Sequence, residues 1–145
     1  ISGAGGSAIP SSGPGSTEIQ LSPTLFSFNQ SSNQAFYLFI DVIINGNDIA
    51  SDDWVGAFKG ETCVGARQWD TSLCGEGVCD LPVMGVDQYD QTEGYMQVGG
   101  IPTFKIYDAS ENAYYDALPS EDISWFYNGM NPIDLLYAYE IDLTS

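Results

Sequence analysis

Residues 35–44, "AFYLFIDVII", decide the fold class. If this segment is a strand, one face carries five apolar side chains, and Asp41 is the only charged residue on the other. A strand that is apolar on both faces is typical of the centre of a sheet, where both faces are covered. Asn45 and Gly46 follow directly and form a turn signal. We therefore predict a central strand that ends at this turn.

The remaining sequence predicts further short strands. "WVGAFK" (54–59) and "TCVGARQW" (62–69) are expected to form a hairpin around Gly60 and Glu61. No segment keeps a helical period between helix caps. Further strands are expected at 81–86, 94–98, 102–107, 112–117, 123–127 and 135–143. Many short strands at this spacing indicate an all-β protein, an antiparallel β-sandwich of the jelly-roll or immunoglobulin-like type.

The N-terminal segment differs from the rest of the chain in composition. Residues 1–17 are rich in Gly, Ser and Pro and carry no charge, so we predict an extended arm before a single domain at 18–145. Fully extended, such an arm spans roughly 55 Å, which is enough to reach a neighbouring subunit, although it could equally pack on its own domain. The start at Ile1 suggests a processed N-terminus or a cut fragment. The apolar residues expected to be buried by the arm are Ile1, Ile9, Ile19 and Leu21.

The charge of the chain limits its partners. Twenty Asp and Glu residues against three Lys and Arg give a net charge of −17. Nucleic acid and anionic membrane surfaces are therefore excluded as partners, because they are bound by clustered basic side chains. No apolar run reaches the 18 residues that a membrane-spanning helix needs, so no membrane insertion is expected. Acidic surfaces keep proteins soluble, and they can also attract divalent cations.

The three cysteines predict a structural role. Cys74 and Cys79 enclose the short loop "GEGV", and a disulfide there would close about six residues and stabilise the fold by about 2 kcal/mol. Cys63 is left over and is interpreted as a small buried apolar residue, with pairing to either loop cysteine or to another subunit left open. The sequence contains no histidine. A zinc site or a cysteine nucleophile is therefore not expected.

The acidic residues concentrate in two loops. Calcium requires six to eight oxygen ligands, which carboxylates and carbonyls of irregular loops can supply, whereas solvated acidic loops are the simpler interpretation. The candidate calcium ligands are Asp87, Asp90 and Glu93 in the first loop and Asp108, Glu111 and Asp116 in the second. A weaker third candidate comprises Asn47, Asp48, Asp52 and Asp53. A glycosidase pair is not inferred, because among twenty acids some pair meets the required separation by accident. We predict no enzymatic activity.

Aromatic residues suggest a second type of binding. Trp69, which ends a strand beside the cysteine loop, and Trp125 with Tyr127 in "SWFYNGMNP" are candidates for an exposed platform on which a polysaccharide stacks. Trp54 opens an apolar strand and is expected in the core.

Three segments resemble a known kind of module. "DDWVGAFKGETCVGARQWD" (52–70), "CDLPVMG" (79–85) and "IPTFKIYDASENAYYDA" (101–117) are similar to a module of secreted, multidomain surface proteins of Gram-negative bacteria, often found beside C-terminal sorting domains. The resemblance implies an extracellular β-sandwich without catalytic activity and assigns no site. We therefore predict a secreted or cell-surface structural or adhesion module that assembles with copies of itself into a filament or surface layer, with calcium as a candidate stabilising ion. The alternative is a carbohydrate-binding module.

Overall fold

The computed structural model describes residues 22–139. This range is mostly β-structure, as predicted, with four 3₁₀ turns of three residues each. The strands are β1 (Gln34–Ile44), β2 (Asn47–Asp48), β3 (Trp54–Lys59), β4 (Thr62–Gln68), β5 (Asp80–Met84), β6 (Thr103–Asp108), β7 (Ala113–Pro119) and β8 (Met130–Ala138). The 3₁₀ turns are Thr24–Phe26, Thr71–Leu73, Gly75–Gly77 and Asp90–Thr92. Within residues 22–139, no helix has the length and apolarity needed to cross a membrane.

The strands form one curled sheet, a half-barrel with the order β2-β1-β8-β7-β6-β3-β4, and β5 is paired to β1. β1 and β8 run parallel, whereas the other neighbours are antiparallel. The prediction of a purely antiparallel fold is therefore wrong, and two stacked sheets are not confirmed. The alternation of apolar residues identifies strands but does not encode the direction of their partners, and the parallel pair joins strands that lie far apart in the chain.

β1 is the central strand that the sequence predicts, since β8 lies on one side and β5 and β2 lie on the other. The expected strict alternation along it is wrong. Tyr37, Phe39 and then Val42 face the core, whereas Ile40 and Asp41 are both exposed. β8 repeats this shift at the paired register, because Ile133 and Leu136 are buried and the two residues between them are not. Two successive outward residues in both strands keep the core positions inward where the sheet curls.

The main core lies inside the curled sheet, and two glycines there allow neighbouring parts of the chain to pack closely against the backbone. The Cβ that an alanine would add at Gly65 of β4 would lie well within contact distance of the Pro82 carbonyl oxygen of β5. The backbones of β4 and β5 therefore come into direct contact at this point, because Gly65 has no side chain to separate them. Arg67 of β4 also forms an ion pair with Asp80 of β5. At Gly85, an added Cβ would clash with the ring of Trp125.

A smaller cluster covers the outer face of β3 and β4. Phe26 lies over Gly56, where an added Cβ would come within 2.8 Å of the ring, and it packs edge-on against Phe58 with ring centroids 5.8 Å apart. Cys63 completes this buried cluster.

Within residues 22–139, two predicted strands are absent, and the predicted start of the last strand is wrong. Residues 94–98 form only an isolated bridge between Gly85 and Met96, and residues 123–127 form a loop. The last strand begins at Met130 rather than at residue 135. The loop at 123–127 is fixed by Trp125, whose backbone N–H donates to the Gly100 carbonyl at 2.7 Å and whose carbonyl accepts from the Gly99 N–H at 2.9 Å. Backbone groups that are satisfied by another loop do not need a strand partner.

Candidate functional site

The cysteine prediction is confirmed. Cys74 and Cys79 form a disulfide, and the enclosed loop includes a 3₁₀ turn, Gly75–Gly77, in which Glu76 and Gly77 have positive φ angles of 55° and 75°. Cys63 is unpaired and buried, so the alternative pairing with a loop cysteine is excluded. Burial raises the pKa of the Cys63 thiol to about 11, against a smaller lowering by a backbone hydrogen bond of Gly65. The loop is pinned by its disulfide, and Cys63 is a core residue.

In the first acidic loop, Asp87 is engaged by the protein itself. Its carboxylate accepts hydrogen bonds from the backbone N–H of Tyr89 at 2.9 Å and of Ser32 at 3.1 Å, and from the hydroxyls of Thr92 at 2.8 Å and Ser31 at 3.2 Å. These bonds tie the segment before β1 to the loop after β5. Asp90 and Glu93 are exposed at the two ends of the nearby 3₁₀ turn.

The second acidic loop is similar. Asp108 accepts from the backbone N–H and hydroxyl of Ser110, at 3.0 and 2.7 Å, and Asp116 forms an ion pair with Lys105. Glu111 is exposed. Across residues 22–139, no three or more Asp, Glu, Cys or His side chains are grouped so that they could hold a metal ion. Calcium in these loops therefore stays a prediction, which a melting experiment with added calcium and with chelator tests.

Asp87 predicts a pH dependence of stability. Its hydrogen bonds, with that from Tyr89 the largest cause, lower its pKa from 3.8 to about 2. A lowered pKa in the folded state contributes stability above the unfolded pKa and loses it as the pH falls through the folded pKa. The Asp87→Asn variant should therefore melt below the wild type at pH 6, and the gap should close as the pH falls from about 4 to about 2. A constant gap across this range in calorimetry would contradict the assignment.

The predicted aromatic platform is not present as a surface. Trp69 and Trp125 are buried in the main core, and only Tyr127 is exposed. The Trp125 Nε1 donates to the Val83 carbonyl at 2.9 Å, and Trp69 packs on Phe39 with ring centroids 6.0 Å apart. The prediction that Trp69, Trp125 and Tyr127 share an exposed platform is therefore wrong. Both indoles lie on the concave side of the curled sheet, and the curvature of the sheet cannot be predicted from the local sequence.

Four residues of the predicted assembly arm, Ile1, Ile9, Ile19 and Leu21, lie outside the described residues.

A surface that sequence reasoning missed lies on the convex side of β7, β8 and β1. Residues paired across the strands point to the same side, which gives the row Leu118–Tyr137–Ile43 over all three strands and the pair Met130–Phe36 at the other end. Leu118 is 59% exposed, Met130 62% and Ile40 48%. We call the outward apolar residues Phe36, Leu38, Ile40, Ile43, Leu118, Met130, Tyr137 and Tyr139 the convex face. The sequence signal for it is apolar residues at outward strand positions, which is readable only once the inward side is known.

The charged residues within the convex face are acidic. Asp41 and Asp134 lie at its centre and are exposed. All three basic side chains of the chain have protein contacts: Arg67 with Asp80, Lys105 with Asp116, and the Lys59 Nζ with the Tyr95 carbonyl at 3.3 Å. None of these three basic residues lies on the convex face. Binding of a partner at this face therefore depends on the burial of apolar side chains.

Searches against protein-family models, curated proteins and solved structures found no match for this chain. The resemblance to a bacterial surface module therefore stays a prediction.

Proposed function

We propose that this protein is a non-catalytic, extracellular structural or adhesion module that associates with a second copy of itself through the convex face. The observation that carries the proposal is the set of outward apolar side chains on three adjacent strands, among which Leu118 of β7, Met130 of β8 and Ile40 of β1 are exposed. Scattered exposed apolar residues are ordinary on protein surfaces, whereas a continuous patch is typical of an interaction site.

The apolar character of the convex face favours a second copy of this chain as its binding partner. An apolar face matches itself about a two-fold axis, and most soluble oligomers are formed in this way. Two sheets can pack face to face at about 10 Å, so the outward strand surfaces of two copies can be stacked on each other.

The net charge sets the conditions under which this association occurs. Each copy carries −17, so two copies repel each other over about 10 Å at moderate ionic strength, and less at higher salt. Apolar burial is not weakened by screening. The association is therefore stronger at high salt than at low salt, which is the opposite of an interface held by ion pairs.

An extracellular location is supported by the Cys74–Cys79 disulfide, because such bonds persist in oxidising compartments. Assembly beyond a dimer, into a filament or surface layer, requires a second contact. The N-terminal arm supplies that contact in this proposal, as an extended segment that adds to a neighbouring sheet. A chain without residues 1–17 should then dimerise but form no polymer in negative-stain microscopy.

The convex face makes a direct prediction for mutagenesis. Leu118→Asp places a charge at the exposed β7 end of the Leu118–Tyr137–Ile43 row, so light scattering at high salt should show a monomer where the wild type is a dimer. Because Leu118 is more than half exposed, the monomer should remain folded.

Leu73→Asp is the matched control, since Leu73 is 78% exposed and lies in the 3₁₀ turn before the disulfide loop, outside the convex face. It should dimerise like the wild type. A wild-type chain that stays monomeric at high salt and high concentration, or a Leu118→Asp chain that still dimerises, would refute the role of the convex face.

A further inference from the structure

An open cleft lies on the outer face of β3, β6 and β7, at the opposite end of β7 from Leu118. It has a volume of about 310 Å³ and is lined by residues of these strands, of the loops before β3 and between β6 and β7, and of the segment 22–24 at the start of the first 3₁₀ turn. The lining residues are Ser22, Pro23, Thr24, Asp52, Trp54, Tyr107, Ala109, Asn112 and Tyr114. This size is within the range of small-ligand sites.

The floor of the cleft is a row of three aromatic side chains. Trp54 of β3 pairs with Tyr107 of β6, and Tyr107 pairs with Tyr114 of β7, so the three lie side by side on adjacent strands. Each is only partly buried. Adjacent strands are about 4.8 Å apart, so the row extends for about 10 Å. The rings are arranged in a row along the sheet and do not enclose a point, and the planes of Tyr107 and Tyr114 are tilted by 51° to each other.

Polar groups surround this platform. Asp52 and Asn112 are exposed at the rim. The Tyr107 hydroxyl donates to the Asn112 Oδ1 at 2.6 Å, and the Tyr114 hydroxyl accepts from the Leu25 N–H at 3.1 Å, so both phenols are oriented by the protein. A carboxylate, an amide and a phenol that retains its own proton supply both acceptors and donors.

The two loops of the rim are held together by Asp53. This carboxylate is buried and accepts from the Ala50 N–H at 2.7 Å and from the Ala109 N–H at 2.9 Å. It thereby fixes the loop that carries Asp52 against the loop that carries Asn112. Burial, together with the charges of Asp108 and Asp52, raises the pKa of Asp53 against the lowering by these bonds. The cleft is therefore preorganised and lies in a negative potential.

From this arrangement, we propose that the cleft binds a neutral carbohydrate, with sugar rings stacked on Trp54, Tyr107 and Tyr114 and hydroxyls bonded to Asp52 and Asn112. Sugars expose apolar C–H groups on the ring face and hydroxyls at the ring edge, which matches aromatic rings ringed by acceptors and donors. A row of about 10 Å accommodates two sugar units of about 5 Å each along the floor. This site is independent of the self-association proposed above.

Two other ligand classes fit the cleft less well. Anionic sugars are repelled by Asp52 and by the net charge of −17. Small quaternary cations are bound by rings that enclose them, whereas these rings lie side by side, with Tyr107 and Tyr114 in contact at 4.9 Å between centroids.

The test is calorimetric titration of the full chain with neutral hexasaccharides of β-1,3-glucan, β-1,4-glucan, β-1,4-mannan and chitin, beside an alginate hexasaccharide and tetramethylammonium. At least one neutral hexasaccharide should bind, and Trp54→Ala should weaken that binding by about tenfold or more. Asp52→Ala, at an exposed position, should also weaken it without lowering the melting temperature. Trp54→Phe, which keeps an aromatic ring and preserves the packing, should retain part of the affinity.

Two controls separate this site from the convex face. Tyr139→Ala removes an exposed aromatic ring outside the cleft, and Leu118→Asp disrupts the proposed dimer; both should bind the sugar like the wild type. The proposal is overturned if no neutral hexasaccharide binds, if only alginate or tetramethylammonium binds, or if both Asp52→Ala and Trp54→Ala leave the affinity unchanged.

Discussion

Trp125→Ala is expected to lower the free energy of unfolding by about 3 to 5 kcal/mol, the range for truncation of a large buried aromatic residue. Trp125 is fully buried, its Nε1 donates to the Val83 carbonyl, and its ring fills the space that Gly85 leaves open. The substitution creates a cavity and leaves a buried carbonyl without its donor. Urea denaturation followed by circular dichroism measures the loss.

Phe126→Ala is the matched control for this prediction. Phe126 is the next residue in the chain but is exposed, so its truncation should change the free energy of unfolding by less than about 0.5 kcal/mol. If Trp125→Ala were as stable as Phe126→Ala, the indole would not be a core residue, and the aromatic platform predicted from the sequence would have to be reconsidered.

Gly65→Ala is the second substitution with a large expected effect. A single methyl group at this position would press on the Pro82 carbonyl oxygen, and the neighbour is backbone, which cannot rotate away like a side chain. The two ends of the curled sheet would have to separate. We expect destabilisation by about 3 kcal/mol, at the upper end for overpacked cores.

Gly75→Ala serves as the control, because an added Cβ there meets nothing within 4 Å and the backbone has no positive φ. It should leave the urea midpoint within the range of ordinary surface substitutions, a change below about 0.5 kcal/mol. Equal midpoints for the two alanine variants would contradict the close approach of β4 and β5.

The local sequence pattern predicted the positions of the strands better than it predicted how the strands pair in the sheet. The hairpin of β3 and β4, the disulfide of Cys74 and Cys79, and the central position of β1 all follow from residues close together in the chain. The parallel pairing of β1 with β8 and the paired shift at Ile40–Asp41 depend on contacts between residues about 94 positions apart, as in Phe39 with Ile133. No local period encodes such contacts.

The site residues were harder to predict for the same reason. Trp69 and Trp125 have the composition of a sugar platform, but the curl of the sheet places both indoles inside. Trp54, expected in the core, is only partly buried and reaches the cleft because β6 and β7 bring Tyr107 and Tyr114 beside it. The number of aromatic residues indicated that the protein could stack a ligand on its rings. The order of the strands determines which of these rings lie at the surface.

Self-association through the convex face is the central claim, and cysteine cross-linking tests it most directly. Ile40→Cys, Leu118→Cys and Met130→Cys each place one thiol on this face, whereas Leu73→Cys places one elsewhere. Under mild oxidation at high salt, at least one of the first three should give a disulfide-linked dimer faster than Leu73→Cys. Dimers from Leu73→Cys alone, or equally slow cross-linking in all four variants, would contradict the claim.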